Sequence, residues 1–179
     1  RNGLKVESIL TGGHQERTKR GGTTNVPGIV GFAEAFKIAD RDLEENFKYV
    51  SSLRDRFIDR VLLEVPFVKL NGPRQNRLPA NADFSFKFIE GESILFCLDL
   101  AGISVSSGSA CSSGSLEPSH VLLALGLPEE LAHGSIRFSF GKHNTIEEVD
   151  YAVETIKDAV KRLREMSPLF NAQGEIKNV

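Results

Sequence analysis

The sequence has 179 residues, 40% of them hydrophobic and 26% charged, with a formal net charge of -2 at pH 7; that is long enough for one good core with a second fragment attached. Charge this close to neutral gives no general electrostatic case for a nucleic-acid or anionic-membrane partner, and the longest apolar stretches, around residues 94–100 and 121–127, are too short for a membrane span. The 2 cysteines form neither a disulfide framework nor a metal-ligand pattern, so a reducing cytoplasm and no metal site are expected.

No signal peptide is visible, and the chain opens Arg1-Asn2-Gly3 with Met166 as its only methionine, so it reads as a piece of a longer polypeptide. Residues 1–30 are rich in glycine and polar side chains: Gly12-Gly13, then Arg17-Thr18-Lys19-Arg20, then Gly21-Gly22-Thr23-Thr24-Asn25 running into Pro27. Two readings stand open for this segment. It has the ingredients of an anion site at a helix start, where small residues let backbone N–H groups approach a phosphate, and it also reads as a plain solvated turn.

From Gly28 to about Leu63, the residues Ile29, Phe32, Phe36, Leu43, Phe47, Val50, Phe57 and Val61 recur mostly at helical spacing. One long helix or two nearly continuous ones are expected, up to roughly 50 Å at about 1.5 Å per residue, with the apolar stripe as core. After Pro66, a short strand over 67–70 closes at Asn71-Gly72-Pro73. Next, Ala82, Phe84, Phe86 and Phe88 alternate with Asp83, Ser85 and Lys87, the period of a half-buried strand. A helix from Gly91 to about Leu100 would bury Cys97 in the core. Residues 103–105 then read as a strand.

That strand leads into Ser106-Ser107-Gly108-Ser109-Ala110-Cys111-Ser112-Ser113-Gly114-Ser115. Ten small residues bury little apolar area against the entropy of ordering them, so the run reads as a mobile loop carrying a thiol. Anchored at both ends, it gives Cys111 an upper-bound reach of roughly 17 Å. On the loop alone this stands beside a second reading, in which Cys111 is a small hydrophobe packed at a strand end.

Beyond the loop, residues 120–125 read as a short helix ended by Gly126. In Ser135-Ile136-Arg137-Phe138-Ser139-Phe140, the three apolar side chains share one face and Arg137 projects from the other. An arginine fixed on a strand suits bidentate capture of a carboxylate, and an ordinary solvated arginine fits the pattern equally. The last helix opens with Thr145 and Glu148 at capping-box spacing. Its expected stripe is Ile146, Val149, Val153, Ile156, Val160 and Leu163, with Glu147, Asp150, Lys157, Lys161 and Arg164 in solvent and a loosely ordered tail from Pro168.

The run from Ser106 to Ser119 and the run Leu131-Ala132-His133-Gly134-Ser135-Ile136-Arg137-Phe138 closely resemble the pyridoxal-phosphate-dependent cysteine desulfurases of the nitrogen-fixation and iron–sulfur-cluster type. Three further stretches resemble them too: Gly12 to Arg17, Arg20 to Thr23, and Asn25 to Gly31. The resemblance runs from about Gly12 to Tyr151. It implies an α/β fold, the C-terminal part of an aspartate-aminotransferase-like enzyme. Residues 1–43 would be the remnant of the large cofactor domain with the start of the connecting helix, and residues 44–179 a small α+β domain carrying the cysteine loop.

The resemblance also assigns roles. Cys111 matches the cysteine that takes up the substrate's sulfur as a persulfide, Arg137 the arginine that binds the substrate carboxylate, and Thr23 a residue that reaches the cofactor phosphate of the neighbouring subunit in the family's homodimers. It implies pyridoxal 5'-phosphate as cofactor, L-cysteine as substrate, and a sulfur-acceptor scaffold protein as partner in iron–sulfur-cluster assembly or tRNA thiolation. His14 and Thr18 stand where the family usually has glycine. The family's cofactor lysine, stacking histidine and pyridinium-pairing aspartate lie upstream of residue 1, so the isolated chain is expected to be inactive. The alternatives are a selenocysteine lyase-like relative, a non-catalytic fold or docking fragment, and a thiol redox protein, the last disfavoured because no resolving cysteine lies near Cys111.

Overall fold

In a computed structural model, residues 3–4, 7–107 and 118–170 are described. Two compact units are present, residues 1–44 and 45–179. In the first, a short turn at Gln15–Thr18 precedes helix α1 (Val26–Arg41). Asn25 caps α1 by accepting the Gly28 N–H on its side chain at 3.1 Å, and Pro27 occupies the first turn, where a missing N–H costs nothing. Helix α2 (Leu43–Glu64) begins after the single residue Asp42. Of the two arrangements expected, one long helix or two nearly continuous ones, the second is present.

The second unit is an antiparallel sheet covered by helices. Strands β1 (Val68–Leu70), β2 (Asn81–Phe86), β3 (Ser106–Ser107) and β4 (Ser135–Ser139) lie in the order β1-β2-β4-β3. Helices α3 (Gly91–Leu100), α4 (His120–Ala124), α5 (Glu129–His133) and α6 (Ile146–Met166) complete it. Alternation sends Ala82, Phe84, Phe86, Ile136 and Phe138 into one core with Phe57 and Val61 of α2, Ile94 and Leu98 of α3, and Val153 and Ile156 of α6. Phe57 is the hub: its ring meets those of Phe138, Phe140 and Phe84 at centroid separations of 4.7, 5.2 and 6.0 Å. No described helix is long and apolar enough to cross a membrane.

Two features at the C-terminal end of β2 show why certain residue types are required. Gly134 enters β4 so close to the end of β2 that a Cβ there would sit 2.9 Å from the Ile89 carbonyl oxygen and nearer still to that of Phe86. At the same end, beside the start of β1, a guanidinium ties the chain together. Arg164 donates to the carbonyls of Lys87, Pro66 and Phe67 at 3.2, 2.7 and 3.1 Å, and its plane lies over the rings of Phe67 and Phe170. These acceptors replace the water it loses, and burial pushes its pKa down to about 10. Arg164 is therefore a buried cross-link and does not face solvent as expected.

Other expectations are corrected for equally local reasons. The β2 alternation stops at Phe86 because Phe88 adopts φ 73 and turns to pack on Phe67 and Phe170. Ser85 is buried because Asn71 covers it, donating to its Oγ at 2.9 Å. Cys97 is only partly buried: α3 turns Ile94 and Leu98 inward, leaving the Cys97 thiol at its flank 3.4 Å from Arg162 Nη2. Residues 103–105 are outside the ladder, which starts at Ser106. Ile146 is exposed, since the stripe of α6 begins one turn later at Val149. Helix α5 was not expected at all; five residues are too few to show a periodicity. The largest correction concerns α1, where no residue is buried and the apolar stripe is open. Of the tail, residues 171–179 lie outside the described residues.

Candidate functional site

Arg137 sits at the centre of β4, facing away from the core. Its neighbours Ile136 and Phe138 are buried while it is exposed, as strand alternation requires. Register places it between Asp83 of β2 and Ser106 of β3, so three polar side chains from three strands meet on one face of the sheet. Arg137 Nη2 approaches Ser106 Oγ at 3.4 Å, and among the described residues no carboxylate oxygen lies within 4.0 Å of the guanidinium. Most of its five N–H donors are open to an incoming carboxylate.

The floor of this face is a buried polar knot. Asn71 donates through Nδ2 to Asp83 Oδ1 at 2.6 Å and to Ser85 Oγ at 2.9 Å, and its backbone N–H donates to the Asp83 carbonyl at 2.8 Å. The Asn71 carbonyl accepts from Arg77 Nη2. Burial pushes the Asp83 carboxyl above its ordinary value, partly offset by the Asn71 hydrogen bond and by the charges of Arg137 and Arg77. Burial and the neighbouring Arg54 charge push Arg77 down. Sequence reasoning missed Asn71, Asp83 and Ser106; the signal available was the β2 alternation, which puts Asp83 opposite the phenylalanines.

Thr23 belongs to the first compact unit. The Arg20 guanidinium folds back over this turn, donating from Nη1 to the carbonyls of Gly22 and Thr23 at 3.4 and 3.1 Å. Gly21 donates to the Leu10 carbonyl at 2.7 Å, and a Cβ on it would lie 2.8 Å from the Thr11 carbonyl oxygen. The result is an exposed hydroxyl beside a cation on a tightly folded glycine turn, a donor set that fits a phosphate. Thr18 adopts φ 67, a left-handed conformation that glycine takes at no steric cost, and Glu16 and Arg17 share it.

Cys111 lies outside the described residues. The structure thus defines the surroundings of Arg137 and of Thr23, each within its own unit. A cavity of about 490 Å³ opens on the other side of β4, where residues 103–105 part from it, over Phe57, Phe138, Phe140 and Tyr151; neither Arg137 nor Thr23 lines it. No group of three metal-ligating side chains occurs among the described residues.

The chain is similar to known proteins along most of its length. A family model described as Aminotransferase class-V matches residues 6–152. The chain is 49% identical over 168 residues to the cysteine desulfurase IscS of Dictyoglomus turgidum, covering 94% of this chain and 43% of the relative. It is 50% identical over 169 residues to that of Methanosarcina thermophila, covering 94% and 42%. Among solved structures, a NifS-like protein superposes with a TM-score of 0.77 at 36% identity, covering 91% of this chain and 41% of the other. The NifS-like protein from Rickettsia africae gives 0.75 at 28% identity, covering 88% and 41%. The chain therefore spans less than half the length of the curated relatives it matches.

Proposed function

The chain belongs to the class-V aminotransferase family, and on that footing we propose that it is the C-terminal part of a pyridoxal-phosphate-dependent cysteine desulfurase. The whole enzyme converts L-cysteine to L-alanine, and the sulfur atom passes to Cys111, whose thiol becomes a persulfide for transfer to an iron–sulfur-cluster or tRNA-thiolation acceptor. In this reading residues 1–43 close the large cofactor domain, residues 44–179 form the small domain, and the enzyme works as a cytoplasmic homodimer. The isolated chain, without the cofactor lysine, is inactive.

The observation that carries the reading is Arg137 itself: an arginine fixed at mid-strand, exposed, and free of a close carboxylate among the described residues. It is built to accept an amino acid's carboxylate through paired N–H donors. Strand β3 runs beside it, and chain length alone keeps a residue four positions beyond Ser107 within roughly 14 Å of that strand's end. A thiol on that segment can approach a substrate held at Arg137 and later face an acceptor.

Pyridoxal phosphate, when bound, withdraws electrons from the substrate's α-carbon and so makes the carbon–sulfur bond breakable. This chain's own part is narrower. Thr23, with Arg20 and the Gly21-Gly22 turn, supplies a hydroxyl donor and positive charge for a phosphate. Arg137 orients the substrate, and Cys111 as thiolate takes the sulfur.

Replacing Arg137 with glutamine in the whole enzyme tests the reading. KM for L-cysteine is expected to rise by about 10- to 100-fold, because a charge-assisted pair contributes about 1.5–3 kcal/mol. An unchanged KM contradicts it.

A further inference from the structure

Asp83 is the Cα partner of Arg137 across the β2–β4 ladder, so their side chains leave the same face side by side. The Asp83 carboxylate is not free to swing. Its Oδ1 accepts from Asn71 at 2.6 Å, and Asn71, 3% exposed, is itself locked by Ser85, by its backbone N–H on the Asp83 carbonyl, and by Arg77 on its own carbonyl. The carboxylate's position is fixed from behind by a buried network.

Its charge is not needed for that network. An amide oxygen at position 83 would accept from Asn71 equally well, and burial disfavours the charged form. The cations it senses are Arg137 and Arg77. Arg77 is committed elsewhere, donating to the carbonyls of Asn71, Pro73 and Asn81 and to Asn81 Oδ1. Apart from Nη2 on Ser106 Oγ at 3.4 Å, Arg137 keeps its donors open, and Asp83, its partner across the ladder, makes no ion pair with it within 4.0 Å.

We propose that Asp83 is a positioning residue for Arg137: its fixed carboxylate holds the guanidinium over the outer face of β4 while leaving the N–H donors free for the substrate's carboxylate. A bidentate partner at this position would occupy the donors that the substrate needs. An offset one biases the arginine's orientation and leaves them presented. The inference rests on the reading of Arg137 as the carboxylate-binding residue.

The test uses the whole holoenzyme with Asp83→Asn, which keeps the shape and the Asn71 contact and removes only the charge. KM for L-cysteine and the inhibition constant of the product L-alanine are expected to rise together, by up to about fivefold for a partly screened pair. The turnover number should stay within about twofold, and inhibition by L-alaninamide, which has no carboxylate, should not change. An L-alanine constant at the wild-type value overturns the proposal, as does an equal rise for L-alaninamide, which marks a general structural effect. Arg137→Gln is run alongside: if it binds L-alanine as the wild type does, the reading of Arg137 fails. If that variant loses L-alanine while Asp83→Asn does not, only the role of Asp83 fails.

Discussion

Helix α1 and the part of α2 from Val50 onward carry the same apolar period and meet opposite fates, while Leu43 and Phe47 at the start of α2 stay exposed. In α1, Ile29, Phe32 and Phe36 are 57%, 75% and 65% exposed; in α2, Phe57, Ile58 and Val61 are each 0% exposed. A 3.6-residue period is a property of the helix alone, whereas burial needs something to bury against. For α2 that something is the phenylalanine-lined sheet and α6, drawn from residues 81–160. Among the described residues, nothing buries the stripe of α1. One apolar pattern therefore stabilises the fold strongly in α2 and little in α1.

Phe57 and Phe36 give the largest contrast. Truncating Phe57 to alanine empties the hub of the aromatic cluster and is expected to cost about 3–5 kcal/mol in urea unfolding. The same change at Phe36 should cost under about 0.5 kcal/mol. Similar losses at both positions would show that α1 is packed after all.

Glycine offers a second, smaller contrast. At Gly134 a methyl group collides with backbone oxygens that cannot move aside, so Gly134→Ala should destabilise by about 1–3 kcal/mol. Gly31, inside α1, has nothing within 4 Å of a built Cβ. There alanine should stabilise by about 0.5–1 kcal/mol through helix propensity. The measurement is the unfolding midpoint at constant slope, and a destabilising Gly31→Ala would break the contrast.

Charge separates the helices too. Helices α2 and α6 are laced by Arg56 and Arg60 on Asp150, by Arg60 on Glu64 and Glu154, and by Lys157 on Glu64 and Glu154, while α1 has the exposed pair Glu34–Lys37. Hydrogen bonds from Arg60 and Lys157 hold the Glu64 carboxyl down to about 2 from an ordinary 4.5, and hydrogen bonds from Arg56 and Arg60 hold Asp150 down to about 2 from 3.8. Depressed folded-state values mean the stabilisation is complete above the unfolded-state values and disappears as pH falls toward about 2. Because these side chains meet solvent, the effect is small and salt-sensitive. The melting temperature should fall over that window, and Arg60→Gln should flatten the fall. A parallel curve for the variant would show that the network contributes nothing.

How much could be read from the sequence follows the same division between what a residue does locally and what covers it. The capping box at Thr145 and Glu148 and the alternation that turns Arg137 outward depend on near neighbours, and the structure contains both. Arg164 and Ser85 depart from the local pattern because distant carbonyls and Asn71 enclose them, and no local pattern announces a partner some 77 residues away. At the site, Arg137 was legible from its strand. Asp83 needed the register between β2 and β4, and Asn71 needed the turn that folds it under both strands.

The central claim, sulfur transfer to Cys111 in the whole enzyme, is tested most directly by mass spectrometry of the protein after reaction with L-cysteine. The account predicts one added sulfur atom on the peptide carrying Cys111, and no persulfide in Cys111→Ser, which still binds its cofactor. Undiminished sulfur release by Cys111→Ser, or the added sulfur on Cys97 instead, would contradict it.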